Sequence, residues 1–492
     1  MLLEEVNARL SQLKPDEKLV DKLLEVEQSK NQRKFVILDD DPTGIQTVHD
    51  VFVYTDWSVE SIKHGLMDNN SMFYLLTNSR AMTDNQTTKI HLELTNNVIN
   101  AALETGKEFM IISRSDSTLR GHYPLETELV KQVVESKSRI VIDGEILFPF
   151  FKEGGRYTID DIHYVDEGGT LVPVGETEFA KDKTFGYQAS NLCDYIEEKT
   201  GGDYTAEDTI SISLESLRRM ELDKITTQLC SAGDFNKIIV NAVDYIDVKV
   251  FCIALFRTMA SGRNFMFRSA ASFVKVLGGI SDQPLLTRKE MIKENRSTGG
   301  IMVVGSYTKK TTRQLDQLKG MENIRFIEFN PEHSEDPDAY EREIGRVVKE
   351  SEACIGRGTT VVIYTNRTIQ SIEGESKEDT LLRSVRLSEA VCQIVGRLRV
   401  TPSFVLAKGG NTSSDIGVKA LKVKRARVLG QVKPGIPVWE TDRNSKFPDI
   451  PFIIFPGNVG NDMTLREVTE ILLKEQLQAP EPYFHTDLMA AK

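Results

Sequence analysis

The chain has 492 residues, of which 40% are hydrophobic and 27% are charged, close to the averages of globular proteins. A chain of this length exceeds one ordinary hydrophobic core, so we expect two large domains and neither a disordered nor a fibrous protein. The net charge of −12 argues against nucleic acid as a partner, because phosphate backbones are bound by basic surfaces.

The sequence also argues against membranes and disulfides. It has no uninterrupted apolar run of the ~20 residues that a membrane helix needs, and it begins with acidic and polar residues. We therefore predict a soluble cytoplasmic protein with no membrane partner. The five cysteines are scattered and form no CxxC motif, which favours reduced thiols over disulfides or a zinc site.

The first half of the chain alternates strand and helix patterns. Residues 1–33 carry leucines at helical spacing and predict an N-terminal helical extension, followed by a first domain over residues 34–280. Its strand candidates are 35–41, 71–80, 108–117, 139–145 and 236–244, and its helix candidates are 84–104, 124–136 and a stretch near 251–277. Residues 160–200 are rich in turns and predict either a flap or an antiparallel extension.

The second half repeats this alternation after a polar segment. Residues 281–300 predict a linker, and residues 301–492 predict a second domain. Its strand candidates are 301–306, 323–329, 359–365, 403–410, 427–432 and 452–460, and its helix candidates are 309–319, 336–351 and 376–398. We therefore predict two α/β domains, each with a mostly parallel sheet flanked by helices. Ligands of such sheets bind beyond the carboxyl ends of the strands, and we expect the active site in the interdomain cleft.

Three adjacent carboxylates follow the first predicted strand. Asp39, Asp40 and Asp41 precede a tight turn that Pro42 and Gly44 punctuate. Because adjacent carboxylates repel one another, some of them are candidates to bind Mg²⁺, a substrate hydroxyl or a helix N-terminus. The alternative interpretation is structural, with Asp39 inside the strand and Asp41 capping the next segment.

A second cluster, residues 113–122, combines arginines, hydroxyls and a carboxylate at another strand end. Arg114 and Arg120 are candidates to clamp a carboxylate or phosphate, and Asp116 to orient or deprotonate a substrate hydroxyl. Alternatively, Asp116 caps a helix and Arg120 is its ion-pair partner. Arg80 stands at a third strand end, and a cleft with these side chains suits a small hydroxylated acid.

Arg156 and the histidines carry weaker signals. Arg156 follows a glycine pair, which would let its guanidinium reach the cleft. His49, His122 and His163 lie in unrelated segments and accompany no hydrolase or metalloprotease motif. We interpret them as structural, with His122 the exception because it is close to Arg120 in the sequence.

Glycine-containing loops in the second half predict a nucleotide site. In KGGNTSSD (408–415) and PGNVGND (456–462), the glycines let backbone N–H groups approach phosphate oxygens, while neighbouring hydroxyls add donors. Neither loop is a Walker A or dinucleotide-binding sequence, and either one alone is equally explained as an ordinary loop. A third strand-to-helix turn has Ser306 at its tip, and three such turns in one domain favour nucleotide binding.

Taken in order, these segments resemble the four-carbon acid sugar kinase family. The first half carries segments similar to its DDxTG, TxSR, DSTLRG and PxxxxxGR motifs, at Asp40–Gly44, Thr77–Arg80, Asp116–Gly121 and Pro149–Arg156. The second half carries segments similar to its GGxTS and GNxG motifs, at Gly409–Ser413 and Gly457–Gly460, with Ser306 in the family's GS turn. The resemblance covers most of the chain.

The resemblance implies an N-terminal domain for the acid and a C-terminal domain for ATP, with Mg²⁺ assisting. It implies phosphate transfer to the terminal hydroxyl of threonate, erythronate or a 3-oxo-tetronate. With the residue analysis above, the substrate-binding candidates are Asp40, Arg80, Arg114, Ser115, Asp116, Ser117, Arg120 and Arg156, and the catalytic candidates are Asp40, Asp41 and Asp116. The nucleotide-binding candidates are Ser306, Gly409, Gly410, Asn411, Thr412, Gly457 and Gly460.

The chain departs from the family pattern in three places. These are the extended run DDDPTGIQTVHD in place of a DDLTGA-like run, the arginine at position 114 where lysine is common, and the additional N-terminal length. These departures bear on which acid is bound more than on which reaction is catalysed. Two other classes stay compatible with the sequence: a regulatory protein that binds nucleotide and sugar acid, and a ligase, isomerase or kinase for a different hydroxy acid. A homodimer is the default expectation for such an enzyme.

Overall fold

The computed structural model of this protein describes residues 2–293, 296–305, 309–330, 336–365, 377–457 and 459–473, without the side chains of residues 377–385. The helices of its first half are α1 (Leu3–Ser11), α2 (Glu17–Lys30), α3 (Val59–Met67), α4 (Asp84–Thr105), α5 (Leu125–Lys137), α6 (Leu192–Lys199), α7 (Leu214–Arg218), α8 (Leu222–Cys230), α9 (Tyr245–Ala260) and α10 (Ala271–Leu277). The strands of this half are β1 (Lys34–Asp39), β2 (Phe52–Tyr54), β3 (Met72–Leu76), β4 (Phe109–Arg114), β5 (Gly144–Phe148), β6 (Arg156–Ile159), β7 (Ile162–Glu167), β8 (Thr170–Pro173), β9 (Ile210–Ile212), β10 (Asn236–Val240) and β11 (Phe265–Ser269).

The second half continues the alternation of helices and strands. Its helices are α11 (Arg288–Met291), α12 (Lys309–Asp316), α13 (Pro337–Ile355), α14 (Lys377–Arg397), α15 (Gly410–Asp415) and α16 (Thr464–Leu473). Its strands are β12 (Ile301–Val304), β13 (Ile324–Phe329), β14 (Thr360–Thr365), β15 (Val405–Lys408), β16 (Arg425–Lys433), β17 (Ile436–Thr441) and β18 (Pro451–Phe455). A π-helical turn, Ile416–Ala420, directly follows α15.

The first half is built on a parallel block of strands in the order β2–β3–β1–β4–β11–β5–β10–β9. Strand β1 lies inside this block, and its residues 35–39 are buried, as expected for a parallel strand covered on both faces. Asp39 lies beside Leu76 of β3 on one side and beside Arg114 of β4 on the other. The polar residues after these three strands therefore leave the sheet at the same edge.

The second half has its own parallel block, β13–β14–β12–β15–β18, followed by the antiparallel strands β17 and β16. Strand β16 pairs antiparallel with β2 of the first half, where Ala426 lies opposite Val53. This junction joins the two blocks into one sheet of fifteen described strands. The prediction of an α/β fold with two halves and mostly parallel strands is confirmed, and the β2–β16 junction is an addition that the sequence did not reveal.

Two predicted segments have different limits in the structure. The strand predicted over 139–145 begins only at Gly144, because the backbone of Asp143 first bonds to Asn264 and Phe235 outside the strand ladder. The helical stretch predicted near 251–277 is interrupted. Helix α9 ends at Ala260, Gly262 turns the chain with a φ of 96°, and β11 precedes α10.

The turn-rich segment 160–200 resolves in favour of the antiparallel extension. Strands β6, β7 and β8 form a separate three-stranded antiparallel sheet. The N-terminal helices pack on the first domain: Leu3 N–H donates to the carbonyl of Gly169 beside β8, and α2 packs against α9. Asp16 caps α2 by accepting hydrogen bonds from the backbone of Lys18 and Leu19.

The largest apolar core contains residues of both halves, among them Ile37 and Phe148 of the first and Ile301, Ile363 and Trp439 of the second. Residues of the predicted linker also pack inside the protein. Leu286, Met291 and Ile292 are buried in a smaller core of the second half, so this segment is not an exposed tether. In the described ranges no helix is both long and apolar enough to cross a membrane.

Candidate active site

The three consecutive carboxylates after β1 differ in exposure. The side chains of Asp39 and Asp40 are 2% and 3% exposed, whereas that of Asp41 is 20% exposed. Burial of charge is costly without partners, so each buried carboxylate must be held by cations or hydrogen bonds. Arginines from the ends of the two neighbouring strands supply these partners.

Asp40 is bound by Arg80 and Ser115. Arg80 donates from Nε to Oδ2 at 3.2 Å and from Nη2 to Oδ1 at 2.8 Å, and Ser115 Oγ donates to Oδ2 at 2.7 Å. Burial of Asp40 opposes its ionisation, but the charge of Arg80 outweighs it and holds the pKa of Asp40 below its usual value. The carboxylate is therefore charged, and both of its oxygens already accept hydrogen bonds.

Asp116 forms a second ion pair beside the first. Its Oδ2 accepts a hydrogen bond from Arg120 Nε at 2.7 Å and another from the Thr118 hydroxyl, and its Oδ1 lies 3.7 Å from Arg80 Nη1. Burial raises the pKa of Asp116, but the charges of Arg80 and Arg120 lower it further, to well below its usual value. Arg80 thus lies between two charged carboxylates, which together raise its pKa despite its burial.

Asp41 is the carboxylate that faces the second half of the chain. Its Oδ1 accepts a hydrogen bond from the backbone of Thr43 at 2.7 Å, and its Oδ2 lies 3.6 Å from Arg80 Nη2. A Cβ placed on Gly410, the first residue of α15, would lie only 3.3 Å from this Oδ2. The loop after β1 and the loop after β15 therefore meet at Asp41.

Asp39 and Arg114 lie behind these groups. Arg114 is 4% exposed and donates from Nη1 to Asp39 Oδ1 at 3.0 Å, with Asp40 Oδ1 3.8 Å away. Burial raises the pKa of Asp39 to about 7, although Arg114 opposes the shift. The turn covers Asp39 so closely that a Cβ on Gly44 would lie 2.0 Å from its Oδ1, which requires glycine there.

Arg120 and Arg156 lie on the ring of Phe179, with their guanidinium carbons 5.0 and 5.7 Å from its centre. Arg156 forms no ion pair with any described residue, and its Nε is buried without a hydrogen-bond partner. Burial lowers the pKa of Arg156, and Asp116 is near enough to oppose that shift. The site thus contains a half-buried cation without a carboxylate partner among the described residues, an arrangement that an anionic ligand would complete.

Sequence reasoning missed Arg268, which is the next-to-last residue of β11 and is buried. Its Nη2 donates to the backbone carbonyl of Arg120 at 2.9 Å, and its Nη1 lies 3.8 Å from Glu126. A Cβ on Gly121 would lie 3.0 Å from Ser115 Oγ and 3.2 Å from this guanidinium. Arg268 therefore supports the loop after β4 from behind. The apolar run FMFRS contains this arginine, but the sequence pattern places the run within a helical stretch near 251–277.

Two histidines, His122 and His163, form hydrogen bonds to backbone segments of the site. His163 is buried, donates from Nε2 to the carbonyl of Ser117 at 2.8 Å and accepts from the Thr158 hydroxyl at 2.9 Å. Burial lowers its pKa to about 4. His122 bonds to Asp84 and to the carbonyl of Ser79. These contacts agree with structural roles, whereas His49 lies elsewhere and bonds to Asp50 and to the carbonyl of Ser281.

The glycine loops of the second half meet at the ends of β12, β15 and β18. Gly409 has a φ of 119°, a conformation that other residues rarely adopt, and a Cβ on Gly305 would lie 2.3 Å from Thr412 Oγ1. Lys408, which sequence analysis overlooked although it precedes the glycine pair, is buried and donates to the carbonyl of Pro456 at 3.0 Å. Gly457 and Gly460 flank position 458, and both position 458 and Ser306 lie outside the described residues.

A cavity of about 660 Å³ lies between the two halves. Thr77 and Asn78, after β3, line it on one side, and Gly305, Asn411 and Thr412 line it on the other. This volume falls in the range of ~300–1,000 Å³ typical of ligand pockets. The predicted nucleotide loop thus lines this cavity, whereas the carboxylate cluster is linked to the loop by the approach of Asp41 to Gly410.

Among the described residues, no group of three or more metal-ligating side chains is found. Magnesium does not need such a group, because it is usually held by one or two carboxylates together with substrate phosphates and water. Asp41 fits that requirement, since it is the most exposed of the three carboxylates and faces the glycine loop. The donor set is therefore suited to Mg²⁺ bound together with a nucleotide.

Comparison with known proteins assigns both halves. Residues 35–277 match the family model described as a sugar-binding N-terminal domain, and residues 301–465 match the one described as a nucleotide-binding C-terminal domain. Fold and site therefore define a two-domain α/β protein that combines a sugar-binding with a nucleotide-binding domain. The chain belongs to the four-carbon acid sugar kinase family, whose two domains it carries in this order.

Solved structures with the same fold are known. A provisionally assigned tRNA synthase from Salmonella typhimurium LT2 is 11% identical, with a TM-score of 0.64 over 89% of this chain and 98% of that one. A Haemophilus influenzae protein of the DUF1537 family is 15% identical, with a TM-score of 0.58 over 89% of this chain and 100% of that one. At these identities the likeness shows the fold alone. No curated protein sequence matches this chain.

Proposed function

We propose that this protein is a cytoplasmic ATP-dependent kinase that phosphorylates the terminal hydroxyl of a small, four-carbon sugar acid such as threonate, erythronate or 3-oxo-tetronate. The observation that carries the proposal is the approach of Asp41 to Gly410, which brings the carboxylate–arginine cluster of the sugar-binding domain against the glycine loop of the nucleotide-binding domain. Membership of the family supports the same pairing of ligands.

The acid would be held by its carboxylate and its hydroxyls. Arg156 would bind the carboxylate, because its half-buried guanidinium has no ion-pair partner among the described residues, and Arg120 beside it would contribute charge. Ser117 and the half-buried face of Arg80 would orient the hydroxyls. Arg114 is buried against Asp39, so we assign it the role of positioning Asp39 and Asp40 rather than direct contact with the acid.

Phosphoryl transfer requires positioning, charge neutralisation and removal of the hydroxyl proton. We assign the proton to Asp41 Oδ2, because Asp40 and Asp116 are occupied by arginine and hydroxyl donors. The substrate oxygen forms its bond to the γ-phosphorus as the bond to the β–γ bridging oxygen breaks, and ADP leaves. Asp41 would hold nucleotide-bound Mg²⁺ through one of the metal's waters, which leaves the carboxylate able to accept the proton, and the metal would supply positive charge against the phosphates.

The reaction is tested by incubating the purified protein with ATP, Mg²⁺ and a panel of three- to six-carbon sugar acids while ADP release is measured. We expect acid-dependent ADP release that is highest with a four-carbon acid, over a control without acid. Tight ADP binding without turnover on any acid would instead indicate a regulatory binding protein. Turnover that requires a second co-substrate, or that rearranges the acid without ADP, would indicate a ligase or an isomerase.

The assignment of the base is tested by two matched substitutions. Asp41→Asn should lower kcat by about 100-fold or more, the usual contribution of a general base, whereas Asp116→Asn should mainly raise KM for the acid. Steady-state kinetics with the best acid distinguishes the two. Full turnover by Asp41→Asn together with a collapse of kcat in Asp116→Asn would move the base to Asp116.

A further inference from the structure

The cavity between the domains has a polar and an apolar wall. Gly305, Asn411 and Thr412 form polar lining at the glycine loop, whereas Val391, Ile416 and Val418 form apolar lining, with the charged residues Asp415 and Lys419 beside them. Phosphates need the first kind of surface and an aromatic base needs the second. The division therefore matches the two ends of a nucleotide, and the further inference rests on the proposed nucleotide-binding function.

The two kinds of lining lie at opposite ends of one helical run. Helix α15 and the π-helical turn together span residues 410–420, so residue 418 lies roughly 10 Å along the axis from residue 411 at about 1.5 Å per residue. Asn411 and Thr412 stand at its beginning, next to the glycine pair. Ile416 and Val418 stand toward its end, against which α14 packs with Val391.

Trp57, a residue of the sugar-binding domain, lines the same cavity. Two residues before it, Thr55 donates its N–H to the carbonyl of Lys424 at 3.1 Å and its hydroxyl to the carbonyl of Val423. Both acceptors follow the helical run closely in the chain. The indole lines the cavity, is half-buried, and is held in place because its Nε1 donates to the carbonyl of Leu76 at 3.0 Å.

We propose that Trp57 binds the nucleobase of the nucleotide, so that the nucleotide site is completed by the sugar-binding domain. The indole offers an aromatic face beside apolar side chains of the other domain, and its fixed orientation lowers the entropy cost of stacking. A base held there contacts both domains, whereas its phosphates contact only the glycine loops. Nucleotide binding consequently stabilises the contact between the two domains.

Trp57→Ala and Trp57→Phe are the matched variants, with ADP as the probe and calorimetry as the measurement. Base–aromatic stacking is worth ~1–3 kcal/mol by alanine substitution, so Trp57→Ala should weaken ADP about 5- to 150-fold. Trp57→Phe keeps an aromatic face and should bind within about threefold of the wild type. ADP binding by Trp57→Ala equal to the wild type would overturn the proposal.

Tryptophan fluorescence gives a readout that does not depend on the alanine variant folding. The chain has two tryptophans, and Trp439 is buried in β17. ADP should change the emission of the wild type and protect it from acrylamide, and this response should be absent in Trp57→Phe, which retains Trp439. A response that persists in Trp57→Phe, or ADP binding without any response in the wild type, would contradict the contact. Failure of the kinase proposal is a separate result, namely intact ADP binding without phosphate transfer to any acid.

Discussion

Replacing Arg156 should separate binding of the acid from stability of the fold. Arg156→Met removes a charge that pairs with no described carboxylate, so we expect KM for the acid to rise about tenfold or more, as for a lost charge-assisted hydrogen bond of ~1.5–3 kcal/mol. Its Tm should change little. Arg120→Met is the control, because it also leaves Asp116 without its closest partner and should lower both affinity and Tm. An unchanged KM in Arg156→Met would exclude it from the acid site.

The buried imidazole of His163 should make stability depend on pH. Its pKa is lowered from 6.5 to about 4 in the folded protein, because burial disfavours the cation. Between these values the unfolded chain binds a proton that the folded chain does not. The contribution of His163 is therefore fully present above pH 6.5 and is lost as the pH falls toward 4, by at most ~1.4 kcal/mol per pH unit.

Denaturant unfolding at pH 7 and pH 5 measures this effect. The free energy of unfolding should fall more steeply toward pH 5 in the wild type than in His163→Gln, which cannot be protonated but still offers a donor to the Ser117 carbonyl. The exposed His64 provides the control substitution, His64→Gln, which should leave the slope unchanged. Equal slopes in all three proteins would show that His163 is accessible to protons in the folded state.

For individual residues, the sequence predicted the site side chains that directly follow strand ends. It missed those that reach the site from distant parts of the chain. Asp40, Arg80, Ser115 and Asp116 lie together because three parallel strands end at one edge, which the apolar runs before them made visible. Arg268 reaches the same loop from a strand 148 residues away in the chain, and no local pattern encodes that contact. The roles of these residues stay predictions.

The start of α15 gives a prediction about one turn of backbone. Gly409 has a φ of 119°, so Gly409→Ala strains the loop by about 1–2 kcal/mol and should weaken ADP binding and lower Tm. The neighbouring Gly410→Ala has no such strain, but its new methyl group would lie 3.3 Å from Asp41 Oδ2. It should lower kcat with little change in Tm or ADP affinity. For both variants, ADP affinity is measured by calorimetry, Tm by thermal melting and kcat by steady-state kinetics.

Elements were predictable where a strand is long and apolar, and not where it is short. The strands that flank the site, β1, β3 and β4, were all found, with their ends one to four residues off. Strands β2 and β9 have three residues each, too few to show alternation, and β11 was hidden because only the short turn 261–264, which contains Gly262, separates it from α9. The β2–β16 pairing depends on one such strand, which is why the junction escaped prediction.

The whole molecule should unfold as one unit, although chains with two domains often do not. One apolar core includes residues of both halves, and the sheet continues from β16 into β2. We expect a single calorimetric transition. Each single-tryptophan variant probes one half: Trp57→Phe retains Trp439 in the second half, and Trp439→Phe retains Trp57 in the first. For each variant, the unfolding midpoint from fluorescence should agree with the midpoint from calorimetry. Two resolved transitions would mean that the junction does not couple the halves.

Association with a second copy of the chain is not decided by the fold. The homodimer expected from the sequence stays a prediction, and sedimentation velocity across a range of protein concentrations tests it. A monomer at all concentrations would contradict it. Neither outcome affects the proposed site, because both of its walls come from one chain.

The junction between β2 and β16 also sets an order of events during synthesis. Thr55 and Val423, which bond across it, are 368 residues apart in the chain. At ~5–20 residues per second, the ribosome delivers β16 roughly 20 to 70 seconds after β2. Until then β2 is the edge strand of the nascent first domain, and its three residues leave only a short row of unpaired backbone groups for another chain to find. The brevity that hid β2 from sequence analysis thus protects the unfinished protein from pairing with its neighbours.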